Sequence, residues 1–273
     1  MNRRVESILL HAVLIAGGII TLFPLFWMVS ASLMSSGEAT TLPPHVVPHE
    51  PTLDQYRELF LRLNLGRAFL SSAIVAAAVT VFSVLFGSMA GYAFAKLRFG
   101  GREKLFGVLL IALVIPPQVG MLPLFLLMKS LGFVNSYWGA IIPSMVTVFG
   151  IFLIRQFMLS VPQELLEAAR IDGASEWRIY WSVVLPLARP ILATLATFMF
   201  MSTWNDFMWP LIVLSDQDRY TLPVALANLS GEHVQDVELM MAGSVVTVLP
   251  VLAVFIALQR YYIAGIMQGS VKG

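Results

Sequence analysis

Asp206 is the one acidic residue that falls deep inside an apolar stretch of the sequence, with Asn205 directly before it. A carboxyl group in such a setting is costly and usually marks a functional position, so both side chains are candidates for lining a translocation path. Trp204 and Trp209 flank them and offer faces on which a ring can stack, although tryptophan also gathers at membrane interfaces. The alternative for Asp206 is a position near the outer interface, paired with a helix end or a partner subunit.

A second polar candidate follows a pair of prolines in another apolar stretch. Ile115, Pro116 and Pro117 precede Gln118, and adjacent prolines interrupt a helix because they lack backbone N–H groups. Broken helices expose polar groups at the solute sites of many transporters, which makes Gln118 a candidate for the same path. A kink that serves only packing is the alternative at this position.

Catalytic and metal-binding patterns are missing from the sequence. His45 and His49 are four residues apart, but Pro48 lies between them and argues against a helical metal pair. The chain has no cysteine, no Gly-x-Ser-x-Gly and no phosphate-binding glycine loop. We therefore expect no catalytic site, no metal and no cofactor bound by this chain.

The segment Ser160–Pro186, which lies between two apolar stretches, predicts two helices joined by a tight turn. Ser160 and Gln163 match a capping box, in which both side chains satisfy free amides at a helix start. Gly173 can adopt the left-handed conformation that ends a helix, and Ser175 can then cap the next one.

The same segment carries more apolar surface than a solvated loop needs. Small residues at Ala168 and Ala169 allow another backbone to approach closely, and such a surface usually marks an interaction site. An ordinary amphipathic loop between two spans is the plainer alternative. The apolar side chains are Leu165, Leu166, Ile171, Trp177 and Ile179.

Composition places these residues in a membrane protein. Of the 273 residues, 58% are hydrophobic and 12% are charged, whereas soluble domains carry about 25% charged residues. Several apolar runs reach the roughly 20 residues that cross a bilayer as a helix. The net charge of +1 gives no basis for binding nucleic acid. The predicted fold is all-α, a single domain over residues 1–273 with six spans near 8–31, 68–95, 105–128, 137–157, 186–214 and 239–262.

Lysine and arginine set the predicted orientation. If both termini are cytoplasmic, 12 of the 17 Lys and Arg residues lie inside and five lie outside. The opposite orientation inverts this bias, so the positive-inside rule favours cytoplasmic termini and puts segment 160–186 in the cytoplasm.

Two long segments then fall outside. In Ser32–Arg67, Thr52 and Gln55 match a capping box and predict an amphipathic helix along the outer interface. The segment Ser215–Glu238 is polar and acidic and is expected to be an outer loop.

The cytoplasmic segment resembles the signature of ABC-importer permeases. Glu167-Ala168-Ala169, three residues, Gly173, nine residues and then Val183-x-Leu185-Pro186 match the family pattern, with Val183 in place of Ile as the one departure. This resemblance implies that residues 160–186, here named the coupling loop, dock in a cleft of a separate ATPase subunit. The residues it singles out are Glu164, Glu167, Ala168, Ala169, Asp172, Gly173, Leu185 and Pro186.

Three further stretches are similar to the carbohydrate-uptake branch, the maltose-type second permease. They are Gly91–Phe99, Trp204–Pro210 and Ala264–Gly273. The resemblance implies that the C-terminal tail reaches the ATPase interface, whereas a tail judged alone would be a frayed, solvated terminus. The tail residues concerned are Gly265, Gln268, Gly269 and Lys272.

The resemblance also implies an assembly and a function. The expected partners are a second permease subunit, an ATPase dimer that carries ATP and Mg²⁺, and an extracytoplasmic solute-binding protein. The expected function is inward sugar transport across the bacterial cell membrane. A permease for glycerol phosphate or another small solute is the alternative, followed by a proton-coupled secondary transporter that uses Asp206 as its proton carrier.

Overall fold

The computed structural model describes residues 3–43, 45–62, 64–232 and 236–270, and these ranges contain helices without any strand. Apolar runs with few charges form them because a helix satisfies its own backbone hydrogen bonds. The helices are α1 (Arg3–Ala31), α2 (Asp54–Arg62), α3 (Leu65–Lys96), α4 (Arg102–Ala112), α5 (Met121–Ser130), α6 (Tyr137–Ile141), α7 (Val148–Ser160), α8 (Gln163–Ile171), α9 (Glu176–Ile179), α10 (Leu185–Trp204), α11 (Met208–Val213), α12 (Leu222–Glu232) and α13 (Val237–Ser270).

Five helical stretches of the described residues are long and apolar enough to cross a membrane. The third predicted span is different, because α4 and α5 meet at a bend of 94° around Pro116 and Pro117. If this bent pair counts as one span, the total is the six that the sequence predicts. The five are Glu6–Ala31, Leu65–Lys96, Tyr137–Ser160, Glu176–Trp204 and Val237–Gln259.

One compact unit comprises Met1–Gly66 and Ala225–Pro250. A buried carboxylate organises part of it, because Glu238 accepts a hydrogen bond of 2.7 Å from the backbone N–H of Ala39. Gln55, also buried, donates to the backbone oxygen of Met34 and so fixes α2 against the same turn.

The second unit comprises Arg67–Val224 and Val251–Gly273 and holds the larger buried core. Its helices approach closely where glycine replaces a larger side chain. A Cβ atom added at Gly91 of α3 would lie 2.6 Å from the Cβ of Ile154 in α7. Both helices are therefore held at a spacing that only a glycine permits at this point.

Two expectations for the outer segments are wrong in detail. Thr52 does not form the predicted capping box. Its hydroxyl accepts from the backbone N–H of Asp54, and the Gln55 side chain donates to the Met34 oxygen instead of reaching back to Thr52. The segment Ser215–Glu238 is more than a polar loop, since it contains α12 with Leu222, Val224 and Leu229 buried. Packing against neighbouring helices outweighs the polar composition of the surrounding sequence.

Candidate functional site

The coupling loop is a helix, a tight turn and a second helix, as its sequence predicts. Gly173 follows the end of α8 and adopts the left-handed conformation, with a φ of +78°. Ala174 N–H donates to the Ala169 oxygen and Gly173 N–H donates to the Arg170 oxygen, both at 3.0 Å. These paired bonds satisfy the last free carbonyls of α8 and give the turn one defined geometry.

The start of α8 differs from the prediction. Ser160 ends α7, where its hydroxyl donates to the Phe157 oxygen, and it makes no capping box with Gln163. Pro162 takes the cap position because its fixed φ suits a helix start. Ser175 caps α9 as predicted, by accepting from the backbone N–H of Arg178 at 3.3 Å.

A wide π-helical turn, Tyr180–Val184, joins α9 to α10. Leu185 and Pro186 open α10, and the Leu185 N–H donates back to the Tyr180 oxygen of the π-helical turn. The coupling loop therefore passes directly into a candidate span, Glu176–Trp204, without a flexible linker.

The coupling loop presents an apolar surface to its surroundings. Leu166 is fully buried and packs α8 into the core of the second unit. By contrast, Ile171 is 86% exposed and Trp177 is 61% exposed. A patch that combines large apolar side chains with small ones fits a protein partner. The exposed signature residues are Glu164, Glu167, Ala168, Asp172, Gly173 and Pro186, and Ala169 and Leu185 are half-buried.

Glu176 links the coupling loop to the end of α3. Its Oε1 accepts from Arg170 Nε at 2.7 Å, and its Oε2 accepts from the Tyr92 hydroxyl at 2.7 Å. The hydrogen bond to this carboxylate raises the pKa of the Arg170 guanidinium above its ordinary value. One carboxylate thus ties α8, α9 and α3 together, and we name Tyr92, Arg170 and Glu176 the clamp.

Two further bonds fix the same region. Lys96 Nζ donates to the Val161 oxygen at 2.6 Å, at the point where α7 passes into the coupling loop. The Ser88 and Tyr180 hydroxyls lie 2.7 Å apart. The sequence assigns no individual role to Tyr92 or Lys96. A tyrosine and a lysine at the end of an apolar helix such as α3 nevertheless indicate that polar partners lie nearby.

Asp206 and Asn205 occupy a break between α10 and α11, inside the predicted span 186–214. Asn205 Nδ2 donates back to the Met201 oxygen at 2.8 Å, and its side chain is exposed. Asp206 is half-buried, and its Oδ1 accepts from Trp209 N–H at 3.4 Å at the start of α11. The backbone N–H groups of both residues still donate to oxygens of α10, that of Asn205 to Met201 and that of Asp206 to Thr203, each at 3.2 Å.

The remaining path candidates differ in accessibility. Trp204 is 1% exposed and packs against Phe69 and Phe200. Trp209 is buried too, and its indole N–H donates to the Gly139 oxygen at 3.0 Å. Both rings are therefore covered by the chain itself and offer no free face in this conformation. Gln118 lies exposed in the bend between α4 and α5.

The C-terminal tail is described in part. Gly265, Gln268 and Gly269 belong to α13, which runs to Ser270, so the backbone there is helical. Lys272 lies outside the described residues. Contact of the tail with an ATPase stays a prediction.

The fold and the coupling loop define a class, the helical membrane component of a solute importer. The family model described as "binding-protein-dependent transport system inner membrane component" matches residues 83–268. The chain belongs to this family, and it is a membrane-embedded transport subunit of the ABC-importer kind.

Relatives of known sequence cover almost the whole chain. The arabinooligosaccharide transport permease AraQ of Halalkalibacterium halodurans is 40% identical and covers 93% of this chain and 92% of its own. The diacetylchitobiose uptake permease NgcG of Streptomyces coelicolor is 33% identical, covering 96% of this chain and 88% of its own. The sn-glycerol-3-phosphate permease UgpE of Pectobacterium atrosepticum is 32% identical, over 98% and 99%.

A crystal structure shares the fold. It is a bacterial ABC transporter involved in the import of the acidic polysaccharide alginate. One of its chains superimposes with a TM-score of 0.82 at 26% identity, covering 95% of this chain and 97% of that chain.

Proposed function

We propose that this chain carries a neutral sugar or oligosaccharide into the cell as one permease of a binding-protein-dependent importer. The observation that supports this class is the relationship to AraQ and NgcG, whose names specify oligosaccharide solutes. Asp206 is consistent with it, because no Lys or Arg occurs between Arg189 and Arg219. A neutral hydroxylated solute can bond to a carboxylate and an amide, whereas a phosphate would be repelled by Asp206.

Glycerol phosphate is the second candidate because UgpE matches 98% of this chain. A cation near the break between α10 and α11 would favour it, but the charged residue within that break is an acid. A cation from a second permease subunit is the remaining way to hold a phosphate there. The neutral-sugar proposal is therefore the better supported of the two.

We propose that the exposed face of the coupling loop docks on a separate ATPase subunit. Ile171 and Trp177 supply apolar area, while Ala168 keeps the centre of the surface low enough for a partner backbone to approach. ATP and Mg²⁺ belong to that ATPase dimer. A second permease subunit and a solute-binding protein at the outer surface complete the assembly, which we expect to work by alternating access.

The clamp supports a route for the ATPase movement. A partner that moves α8 also moves Arg170, and the shared Glu176 carboxylate transfers that movement to Tyr92 in α3. Because α9 and α10 are joined by a helical turn, the same movement reaches the break that holds Asp206.

Transport by a reconstituted complex tests the proposal. Proteoliposomes that contain both permeases and the ATPase dimer, with binding protein outside and ATP inside, should accumulate arabinooligosaccharide and exclude glycerol 3-phosphate. Collapse of the proton gradient should leave this uptake unchanged. Uptake that continues without the ATPase would establish a secondary transporter instead, and preferential uptake of glycerol 3-phosphate would overturn the sugar assignment.

A further inference from the structure

A basic pocket that is open at the surface, here named the cavity, lies between the end of α3 and the start of α4, outside the coupling loop. Its volume is about 560 Å³. Arg155 lies near the end of α7, one helical turn before the coupling loop begins, and it pairs with Glu103 in the lining of the cavity. The cavity is therefore at the same end of the second unit as the coupling loop. The lining residues are Arg98, Phe99, Gly101, Arg102, Glu103 and Lys104.

The charges of the cavity are unbalanced. Glu103 is the acid in the lining, and it is already paired with Arg102 at 3.0 Å and with Arg155 at 3.2 Å. Arg98 and Lys104 are exposed, and within the described part of the chain neither makes an ion pair or a side-chain hydrogen bond. Two cationic groups therefore remain available to an anion.

The backbone adds to this positive field. Gly101 precedes α4 with φ +80°, and no side chain caps the first amides of this 11-residue helix. Free N–H groups at a helix start attract anions, and phosphate groups above all. The cap alone makes no site, but here it opens into a cavity that already holds two unpaired cations.

The surface next to the cavity is apolar. Leu105, Val108 and Ile111 of α4 are all more than half exposed, and Phe99 in the lining is also exposed. A cationic pocket that continues into an exposed apolar helix matches a molecule with an anionic head and hydrocarbon chains. A soluble phosphate compound would use the pocket and leave the apolar surface unused.

We infer that this cavity binds the phosphate headgroup of an anionic phospholipid, with the acyl chains along the exposed face of α4. Arg98 and Lys104 neutralise the phosphate, and the free amides at the start of α4 donate hydrogen bonds to it. Basic pockets at one end of transmembrane helices recognise such headgroups in general. Lipid binding at this cavity would be the same whichever solute the protein carries.

The site has a link to the coupling loop. Arg155, which pairs with Glu103 at the cavity, also donates to the Phe94 oxygen in α3, two residues from Tyr92 of the clamp. A bound headgroup would stabilise the α3 end on which the clamp is built. Anionic lipid should therefore support coupled transport as well as bind.

Lipid retention measured on the assembled complex tests this. The complex is placed in nanodiscs of phosphatidylcholine containing a minority of phosphatidylglycerol, and native mass spectrometry counts the phosphatidylglycerol that remains bound. The double variant Arg98→Gln with Lys104→Gln should retain it roughly tenfold less tightly, because each cation near an anionic surface contributes a several-fold preference. The matched control is Lys129→Gln with Arg57→Gln, which removes two exposed cations that do not line the cavity.

Three results would overturn the inference. The first is equal retention of phosphatidylglycerol by the double variant and the control. The second is displacement of the bound lipid by inorganic phosphate alone, which would identify a site for a soluble anion. The third is loss of the ATPase subunit from the double variant with lipid retention unchanged, which would assign the cavity to a protein interface.

Discussion

The Glu176 carboxylate accepts hydrogen bonds from two helices, one from the Arg170 guanidinium in the coupling loop and one from the Tyr92 hydroxyl in α3. Both hydrogen bonds are 2.7 Å long, short enough to be charge-assisted. Their contribution is moderated by solvent, because the Glu176 side chain is about half exposed. The clamp is therefore suited to transmitting movement, and its loss need not unfold the protein.

Removing one bond of the clamp should weaken coupling more than folding. Tyr92→Phe deletes the hydroxyl and little volume, and Glu176→Gln deletes the charge that holds Arg170. Each change should lower the number of solute molecules transported per ATP by about fivefold, which corresponds to about 1 kcal/mol for a partly exposed charged bond. The measurement is uptake and ATP hydrolysis in the same proteoliposomes.

Tyr220→Phe is the matched control for this prediction, because its hydroxyl makes only a 3.5 Å contact with the Ser215 oxygen. The double variant of Tyr92 and Glu176 should be no worse than the single ones, since both remove the same linkage. Independent, additive losses would count against a shared clamp.

Substitutions at Gly173 test backbone strain without any steric collision. A Cβ atom placed there would meet no heavy atom within 4 Å, so the requirement for glycine comes from its φ of +78°. Gly173→Val should strain the turn by at least about 1–2 kcal/mol and uncouple ATP hydrolysis from uptake, with membrane insertion intact. Gly173→Asn should keep most coupling, because asparagine tolerates the left-handed conformation.

Uptake per ATP, measured beside the amount of inserted protein, distinguishes these outcomes. Full coupling in Gly173→Val would show that the turn needs no fixed geometry. Equal damage by Val and Asn would show that the glycine serves a partner surface through its missing side chain.

At the scale of helices, the contact between α3 and α7 depends on Gly91. An added methyl group would lie 2.6 Å from the Cβ of Ile154, a buried side chain that cannot move aside. Gly91→Ala should lower the stability of the detergent-purified complex by about 1–3 kcal/mol, through overpacking. Thermal unfolding measures the loss.

Gly107→Ala provides the comparison, because a Cβ atom there meets nothing within 4 Å and alanine favours a helix interior. It should be neutral or slightly stabilising. A Gly91→Ala variant that melts with the native protein would mean that α3 and α7 adjust their spacing freely.

Sequence patterns predict elements whose cause is local. Pro116 and Pro117 place the break before α5, and Gly173 places the end of α8, since each residue restricts its own backbone. The predicted capping box at Ser160 was wrong because α7 continues through that residue and Pro162 takes the cap position of α8. Local sequence rules therefore located the turns but misplaced the end of α7.

At the scale of the whole molecule, only part of the candidate site can be predicted from the sequence. The signature residues of the coupling loop could be located because their spacing is fixed along the chain. The clamp could not, because Tyr92 and Glu176 are 84 residues apart and meet only through the packing of α3 on the loop. The same holds for the cavity, where Arg155 reaches Glu103 across 52 residues.

The orientation in the membrane is the expectation with the widest consequences, because it places the coupling loop on the side where ATP is available. The chain contains no cysteine, so a single introduced thiol reports one position without background. Leu42→Cys, at a residue 93% exposed, should react on intact cells with a maleimide that cannot cross membranes. Ile171→Cys, at a residue 86% exposed, should react only after the cells are opened and only where the ATPase leaves it uncovered. Labelling of Ile171→Cys on intact cells would invert the predicted topology, and the proposed ATPase docking would fail with it, because the coupling loop would then face a compartment without ATP.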